Sequence, residues 1–271
     1  MFNLIKVAKE TMRICECGYY EVDGKRVELN AASKEDYSEV KVYSPDTLDN
    51  IHMEHIEIEN MEKVKCKFTF SDLDSLEAAA KYENALVMNF ANAHVPGGGF
   101  LAGATAQEES LCRCSTLYAS ISSDKAKEMY SYNTKHLSST DSHYMLLSPN
   151  VKVFRNHKCE LLKIPYNVGV ITVPAPNRRG KAIFTPKSVL EKVMTERIRY
   201  MLNVAHDNKY TSLVLGAWGC GAFGNKTEDV AGYFYRVLIE EQQAQWFDEV
   251  CFAVLGGGKK LDIFKRRFGS V

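Results

Sequence analysis

Short apolar segments, separated by helical stripes and tight joints, constrain this chain more than any other feature. Residues 64–70 alternate Val64, Cys66, Phe68 and Phe70 with Lys65, Lys67 and Thr69, the period-two pattern of a half-buried strand. Ser71 followed three residues later by Asp74 resembles a capping box, and a helix is expected from Leu73 through Tyr82. The run Ala85-Leu86-Val87-Met88-Asn89-Phe90 then reads as a buried strand. Strand, helix and strand with short joints make a βαβ unit.

The same grammar continues. Ser110 to Ile121 reads as helix, and Val168 to Val173 as a strand ended by Pro174-Ala175-Pro176. Pro186 to His206 is the clearest helix, with Pro186 in its first turn and Leu190, Val193, Met194, Ile198, Met201, Leu202 and Ala205 on one stripe. Leu213 to Leu215 is a strand, a helix begins near Thr227, Val250 to Leu255 is a last core strand, and Leu261 to Phe268 closes the chain as a basic helix. Residues 122–148, rich in Ser and Tyr, match no single element. At the other end, residues 3–16 carry an imperfect helical stripe, and Tyr19 to Leu29 reads as a hairpin around Asp23-Gly24. Residues 30–60 have too few apolar side chains for a core of their own. The expected organisation is therefore an N-terminal extension (1–60), partly helical, packed on a main α/β domain (61–271) whose mixed or parallel sheet is covered by helices on both faces.

In such sheets ligands sit beyond the carboxyl ends of the strands. Three loops leave strand ends here: Asn92 to Glu109, Pro174 to Gly180 and Gly216 to Asn225. Their convergence on one crevice is expected. The first contains Gly97-Gly98-Gly99, seven residues, then Gln107-Glu108-Glu109. Glycine lets backbone N–H groups approach a phosphate closely, and a carboxylate pair beside such a cradle suggests chemistry on a sugar that carries phosphate. Global charge does not help bind a polyanion, because 34 basic and 34 acidic residues cancel. No DNA partner is expected, and a phosphorylated polymer would have to be held by local loops. No run of 18 apolar residues suggests a membrane span. Eight scattered cysteines read as reduced thiols of a cytoplasmic protein.

The glycine–carboxylate signature resembles that of poly(ADP-ribose) glycohydrolases, specifically the compact microbial type built on a macrodomain. Phe90-Ala91-Asn92-Ala93, Leu111-Cys112-Arg113-Cys114-Ser115, Leu117-Tyr118, the segment from Ser148 to Arg155, Val173-Pro174-Ala175-Pro176-Asn177 and Val214-Leu215-Gly216-Ala217-Trp218-Gly219-Cys220-Gly221 look like the same family. The resemblance implies a three-layer α/β/α macrodomain with a mixed sheet, hydrolysis of the ribose–ribose bond of poly(ADP-ribose) to release ADP-ribose, and no cofactor or metal. It implies Glu109 as acid/base and Glu108 as the acceptor of hydrogen bonds from ribose hydroxyls that fixes the sugar, with Gln107 supporting the loop. Gly97, Gly98 and Gly99 are then expected to meet the diphosphate, as are Gly219, Gly221, Ala222, Gly224 and Asn225. Phe223 is placed to pack on ribose or adenine, and Asn92 to meet a ribose hydroxyl or the diphosphate. A non-catalytic ADP-ribose-binding macrodomain is the competing reading, but such modules lack the Gln-Glu-Glu. Hydrolysis of mono-ADP-ribosylated proteins is a third. A monomer suffices for all of them.

Three other features read more plainly. Cys15-x-Cys17 and Cys112-x-Cys114 lack the usual zinc spacing, His94 is expected to be structural, and Gly256-Gly257-Gly258 lacks the spacing of a phosphate loop. One tension stands: a helix start favours an ionised carboxylate, yet a general acid must begin protonated.

Overall fold

The computed structural model describes residues 3–29, 38–56 and 65–269. Val64 and residues 30–37 and 57–60 of the expected extension lie outside them. In chain order the strands are β1 (Tyr19–Val22), β2 (Lys25–Glu28), β3 (Lys41–Tyr43), β4 (Lys67–Ser71), β5 (Ala85–Ala91), β6 (Met145–Arg155), β7 (Leu161–Pro174), β8 (Ser212–Leu215) and β9 (Glu249–Ala253). The α-helices are α1 (Leu4–Cys17), α2 (Pro45–Ile56), α3 (Ser75–Ala79), α4 (Gln107–Cys114), α5 (Leu117–Ile121), α6 (Lys127–Lys135), α7 (Lys187–Asp207), α8 (Thr227–Tyr235) and α9 (Gly258–Phe268).

Strands β1 and β2 form a separate hairpin. The others form one sheet in the order β3-β6-β7-β5-β8-β9-β4. Neighbours from β7 to β4 run parallel, whereas β6 is antiparallel to both β7 and β3. The result is a mixed sheet with helices on both faces, as the strand–helix alternation implies. Strand β5 shows how the pleat sorts the core. Leu86 and Met88 join the side of α7, α8 and α9, while Ala85 and Val87 join the side of α3 to α6. Asn89 continues the second series and so faces α4. Among the described residues no helix is long and apolar enough to cross a membrane.

The N-terminal segment braces the future site. Asn3 caps α1 through its side chain, and Gly18 ends the helix in the left-handed conformation, its N–H donating to Ile14 O at 2.8 Å. Thr11 Oγ1 on α1 donates to Arg113 O on α4 at 2.7 Å. Strand β3, from the polar 30–60 stretch, pairs with β6 at the sheet edge.

The structure corrects several element assignments. Asp74, not Ser71, caps the helix after β4, its carboxylate accepting from Leu76 N at 2.7 Å and Glu77 N at 3.0 Å. That helix ends at Ala79, short of Tyr82. The expected helix Ser110–Ile121 begins earlier, at Gln107, and is broken at Ser115-Thr116. Thr116 is drawn to β6 instead, with its N–H donating to Lys152 O and its Oγ1 accepting from Lys152 N, both at 2.9 Å. Ser and Thr side chains offer the backbone such alternatives to helix. Residues 122–148 contain α6 and the start of β6, and the β6–β7 hairpin is far longer than the run Val168–Val173 implied.

Candidate active site

The loop after β5 has the shape its glycines demand. Gly97 and Gly98 adopt φ of 67° and 53°, and Gly103 adopts 79°, a region that side chains rarely enter. The reason for Gly98 is local: a Cβ there would lie 2.6 Å from Glu109 Oε1 and 3.2 Å from Glu108 Oε2. At Gly99 it would lie 2.7 Å from the Ala104 methyl. The chain returns through Thr105 to α4, and Arg113, buried in the last turn of that helix, holds the connector by donating to Ala104 O at 2.6 Å.

Three consecutive side chains at the start of α4 then make three different sets of contacts. Gln107 stitches the helix to β5. Its Oε1 accepts from Phe90 N at 2.9 Å, and its Nε2 donates to Met88 O at 2.8 Å and Ser75 Oγ at 3.1 Å. Glu108 accepts from Asn92 N at 2.8 Å and from Asn89 Nδ2 at 3.3 Å. Only 3 % of it is exposed, and burial pushes its carboxyl up to about 8, against the pull of these donors. Glu109 accepts from Gly99 N at 2.9 Å through Oε1, while its Oε2 is buried with no hydrogen-bond partner. One oxygen is fixed and the other is buried without a partner.

Both carboxylates open on a cavity of about 320 Å³, within the range of small-ligand sites. The three loops expected to converge do so. Asn92 and Thr105 to Leu111 supply one wall. Ala175 comes from the second loop, and Ala217, Gly219, Gly221, Ala222 and Phe223 come from the third. The lining mixes apolar residues with charged ones, among them Asp74, Glu108, Glu109 and Lys260. The third loop is anchored by Trp218, fully buried, whose indole N–H donates to Val173 O at 3.0 Å. Gly219 takes φ of 70°, and a Cβ there would meet Asn225 Nδ2 at 2.6 Å.

The remaining expected residues lie as follows. Asn92 lines the cavity, but its Oδ1 is spent on the turn, accepting from His94 N at 2.8 Å and Val95 N at 3.0 Å. Gly97, Gly98 and Gly99 sit behind the carboxylates and outside the cavity lining. Asn225 is buried and closes its loop by donating to Pro176 O at 2.9 Å, and Gly224 lies against Arg179. His94 forms a clamp with Asp141 and Lys181, each 3.0 Å from its Nε2.

Sequence reading missed Asn89, Asp74, Ser75, Lys260 and the stretch Ala253-Val254-Leu255, which complete the site. Asn89 did carry a signal, being the one polar residue in an apolar strand run, and a buried polar group needs partners. The others depend on β4 and β9 lying at the same end of the sheet, which no local pattern states. Among the described residues one His/Asp/Glu group has metal-like spacing, Asp74 with Glu77 and His157. Asp74 serves there as a helix cap, and His157 Nδ1 pairs with Glu77 Oε1 at 2.6 Å.

Comparison with known proteins supplies the context. Residues 8–156 match the family described as microbial-type PARG, catalytic domain, PARG standing for poly(ADP-ribose) glycohydrolase. The crystal structure of poly(ADP-ribose) glycohydrolase from Thermomonospora curvata is 32% identical, with 98% of this chain and 99% of that chain covered at a TM-score of 0.90. The same enzyme bound to the inhibitor ADP-HPD superposes at 0.87. The enzyme from Deinococcus radiodurans in complex with ADP-ribose is also 32% identical, with 93% and 100% covered and a TM-score of 0.79. A search of curated proteins found no significant match.

Proposed function

The chain belongs to the family of microbial-type poly(ADP-ribose) glycohydrolases, and from that premise we propose that it cleaves ribose–ribose O-glycosidic bonds of poly(ADP-ribose), releasing ADP-ribose, with Glu109 as the acid/base. The observation that carries this reading is the unequal use of the Glu109 oxygens. Gly99 N–H fixes Oε1, while Oε2 is buried with no hydrogen-bond partner in a residue that lines the cavity.

Glycoside hydrolysis needs a proton on the leaving oxygen as an oxocarbenium-like state develops. Glu109 gives its proton to the leaving 2′-oxygen while the bond to the anomeric carbon breaks. The carboxylate so formed is stabilised by Gly99 N–H. It then takes a proton from water as the water oxygen bonds to the same carbon, which restores the acid and leaves a ribose hydroxyl. Glu108 holds the ribose. Beside the two hydrogen bonds it takes from Asn92 N and Asn89 Nδ2, it accepts hydrogen bonds from ribose hydroxyls and so fixes the sugar.

The diphosphate is assigned to the backbone of Gly219, Gly221 and Ala222 on the cavity wall, and Phe223, half-buried beside them, to a face of ribose or adenine. Eight free cysteines support a reducing, cytoplasmic setting.

The test is to incubate the protein with automodified polymer and, separately, with a mono-ADP-ribosylated protein, identifying products by mass spectrometry. ADP-ribose from the polymer is expected. Release from the mono-modified protein alone would move the substrate to the protein–ribose bond, and release from neither would leave a binding module.

A further inference from the structure

The loop between β7 and α7 reads Asn177-Arg178-Arg179-Gly180-Lys181-Ala182-Ile183-Phe184. It holds three cations and no acid in a chain whose net charge is zero. It is not a loose excursion. Gly180 N and Ala182 N both donate to Asn177 O, Ile183 N donates to Gly180 O, and Thr185 N to Ala182 O, at 2.9–3.1 Å. Ala182 is fully buried beneath it. On this tied frame Phe184 is 92 % exposed and Ile183 53 %. A rigid loop that presents a phenyl ring to water is unusual, because burying that ring would stabilise the fold.

The loop adjoins a wall of the cavity without lining it. Arg178 N donates to Phe223 O at 2.9 Å, tying it to the wall residue. Arg179 lies across Gly224, where a Cβ would be only 2.9 Å from its Cγ and 3.1 Å from its Nε. Further along, Lys181 reaches His94 in the loop that carries the first glycines. The segment therefore touches both glycine loops. Lys181 is engaged with Asp141, but Arg178 and Arg179 enter no ion pair among the described residues.

We propose that residues 178–184 are a second nucleotide platform, which holds the polymer next to the unit being cleaved. Arg178 and Arg179 meet its diphosphate, and Phe184 stacks on its adenine. The chemistry matches the repeat of the polymer, an aromatic base beside two negative charges. Arginine forks suit phosphate oxygens, and exposed aromatic rings bind unpaired bases by stacking. The inference rests on poly(ADP-ribose) being the substrate. It adds to that reading a reason why the enzyme would favour long chains over a single unit.

The test places the changes in a Glu109→Gln background, so that polymer survives while binding is measured. Fluorescence anisotropy with labelled long poly(ADP-ribose), and calorimetry with ADP-ribose, give the two affinities. Replacing Arg178, Arg179 and Phe184 together with Ala should weaken polymer binding about tenfold or more, flatten its salt dependence, and leave ADP-ribose binding within about twofold. Phe184→Ala alone, which removes a ring the fold does not bury, should weaken polymer binding several-fold. Unchanged polymer affinity in the triple variant would overturn the platform. So would polymer and ADP-ribose affinities falling in step, which would place these residues in the main cavity. Absence of turnover by the unmodified protein would instead count against the hydrolase reading, and the binding comparison would still decide the platform.

Discussion

The two glycine loops look alike in sequence and serve opposite partners. In the loop of Gly97 to Gly99 the missing side chains make room for the protein's own carboxylates, since a Cβ on Gly98 would fall 2.6 Å from Glu109 Oε1. In the loop of Gly216 to Gly224, Gly221 has nothing within 4 Å of where a Cβ would stand, and it lines the cavity. The first loop makes room for the Glu108 and Glu109 carboxylates, and the second supplies cavity wall. Counting glycines cannot separate the roles. Asking what each missing Cβ would strike does.

The sharpest way to break this contrast is Gly98→Ala. It places a methyl against Glu109 and forces a side chain into φ of 53°, a conformation costing on the order of 1–2 kcal/mol. Turnover should fall about 100-fold or more, the scale of a misplaced general acid. ADP-ribose affinity, measured by calorimetry, should fall much less. Equal losses would mean that this loop is chiefly a ligand contact. Phe223→Ala probes the other loop. It should weaken ADP-ribose binding about tenfold, as loss of one stacking contact does, with kcat within about threefold of the original. Gly221→Ala, adding a methyl in open space, should leave unfolding midpoints unchanged.

A smaller effect concerns Glu108 and pH. Glu108 is raised from the ordinary carboxyl range to about 8, so the folded state holds a proton that the unfolded chain has lost. Stability from this group is complete below the unfolded value and declines as pH rises towards 8, by at most about 1.4 kcal/mol per pH unit. Urea unfolding at pH 5 and pH 8 should show this decline in the parent and a flatter profile in Glu108→Gln. Identical profiles would remove burial as the cause of its neutrality.

Much of this was legible in residue order. Strand–helix alternation carried the mixed sheet with helices on both faces, and the three loops at strand ends carried the cavity. The spacing from Gly99 to Gln107 placed the carboxylates at a helix start. What escaped depended on contacts distant in sequence. Thr116 is broken out of its helix by Lys152, and no local propensity records the approach of β6. Strand β3, in a polar stretch, gains its order by pairing with β6. Asn89 binds both Glu108 and Thr172, across β5 and β7, so its role emerges only once those strands are neighbours. The Glu109 oxygens could not be told apart until Gly99 N–H was seen on one of them.

The most direct test of the central claim is Glu109→Gln, measured for both turnover and binding. The amide keeps an oxygen for Gly99 N–H and cannot deliver a proton. Release of ADP-ribose from the polymer should fall at least about 1,000-fold, with ADP-ribose affinity by calorimetry within a few-fold of the parent. Turnover within tenfold of the parent would contradict the assignment of Glu109 as the acid/base.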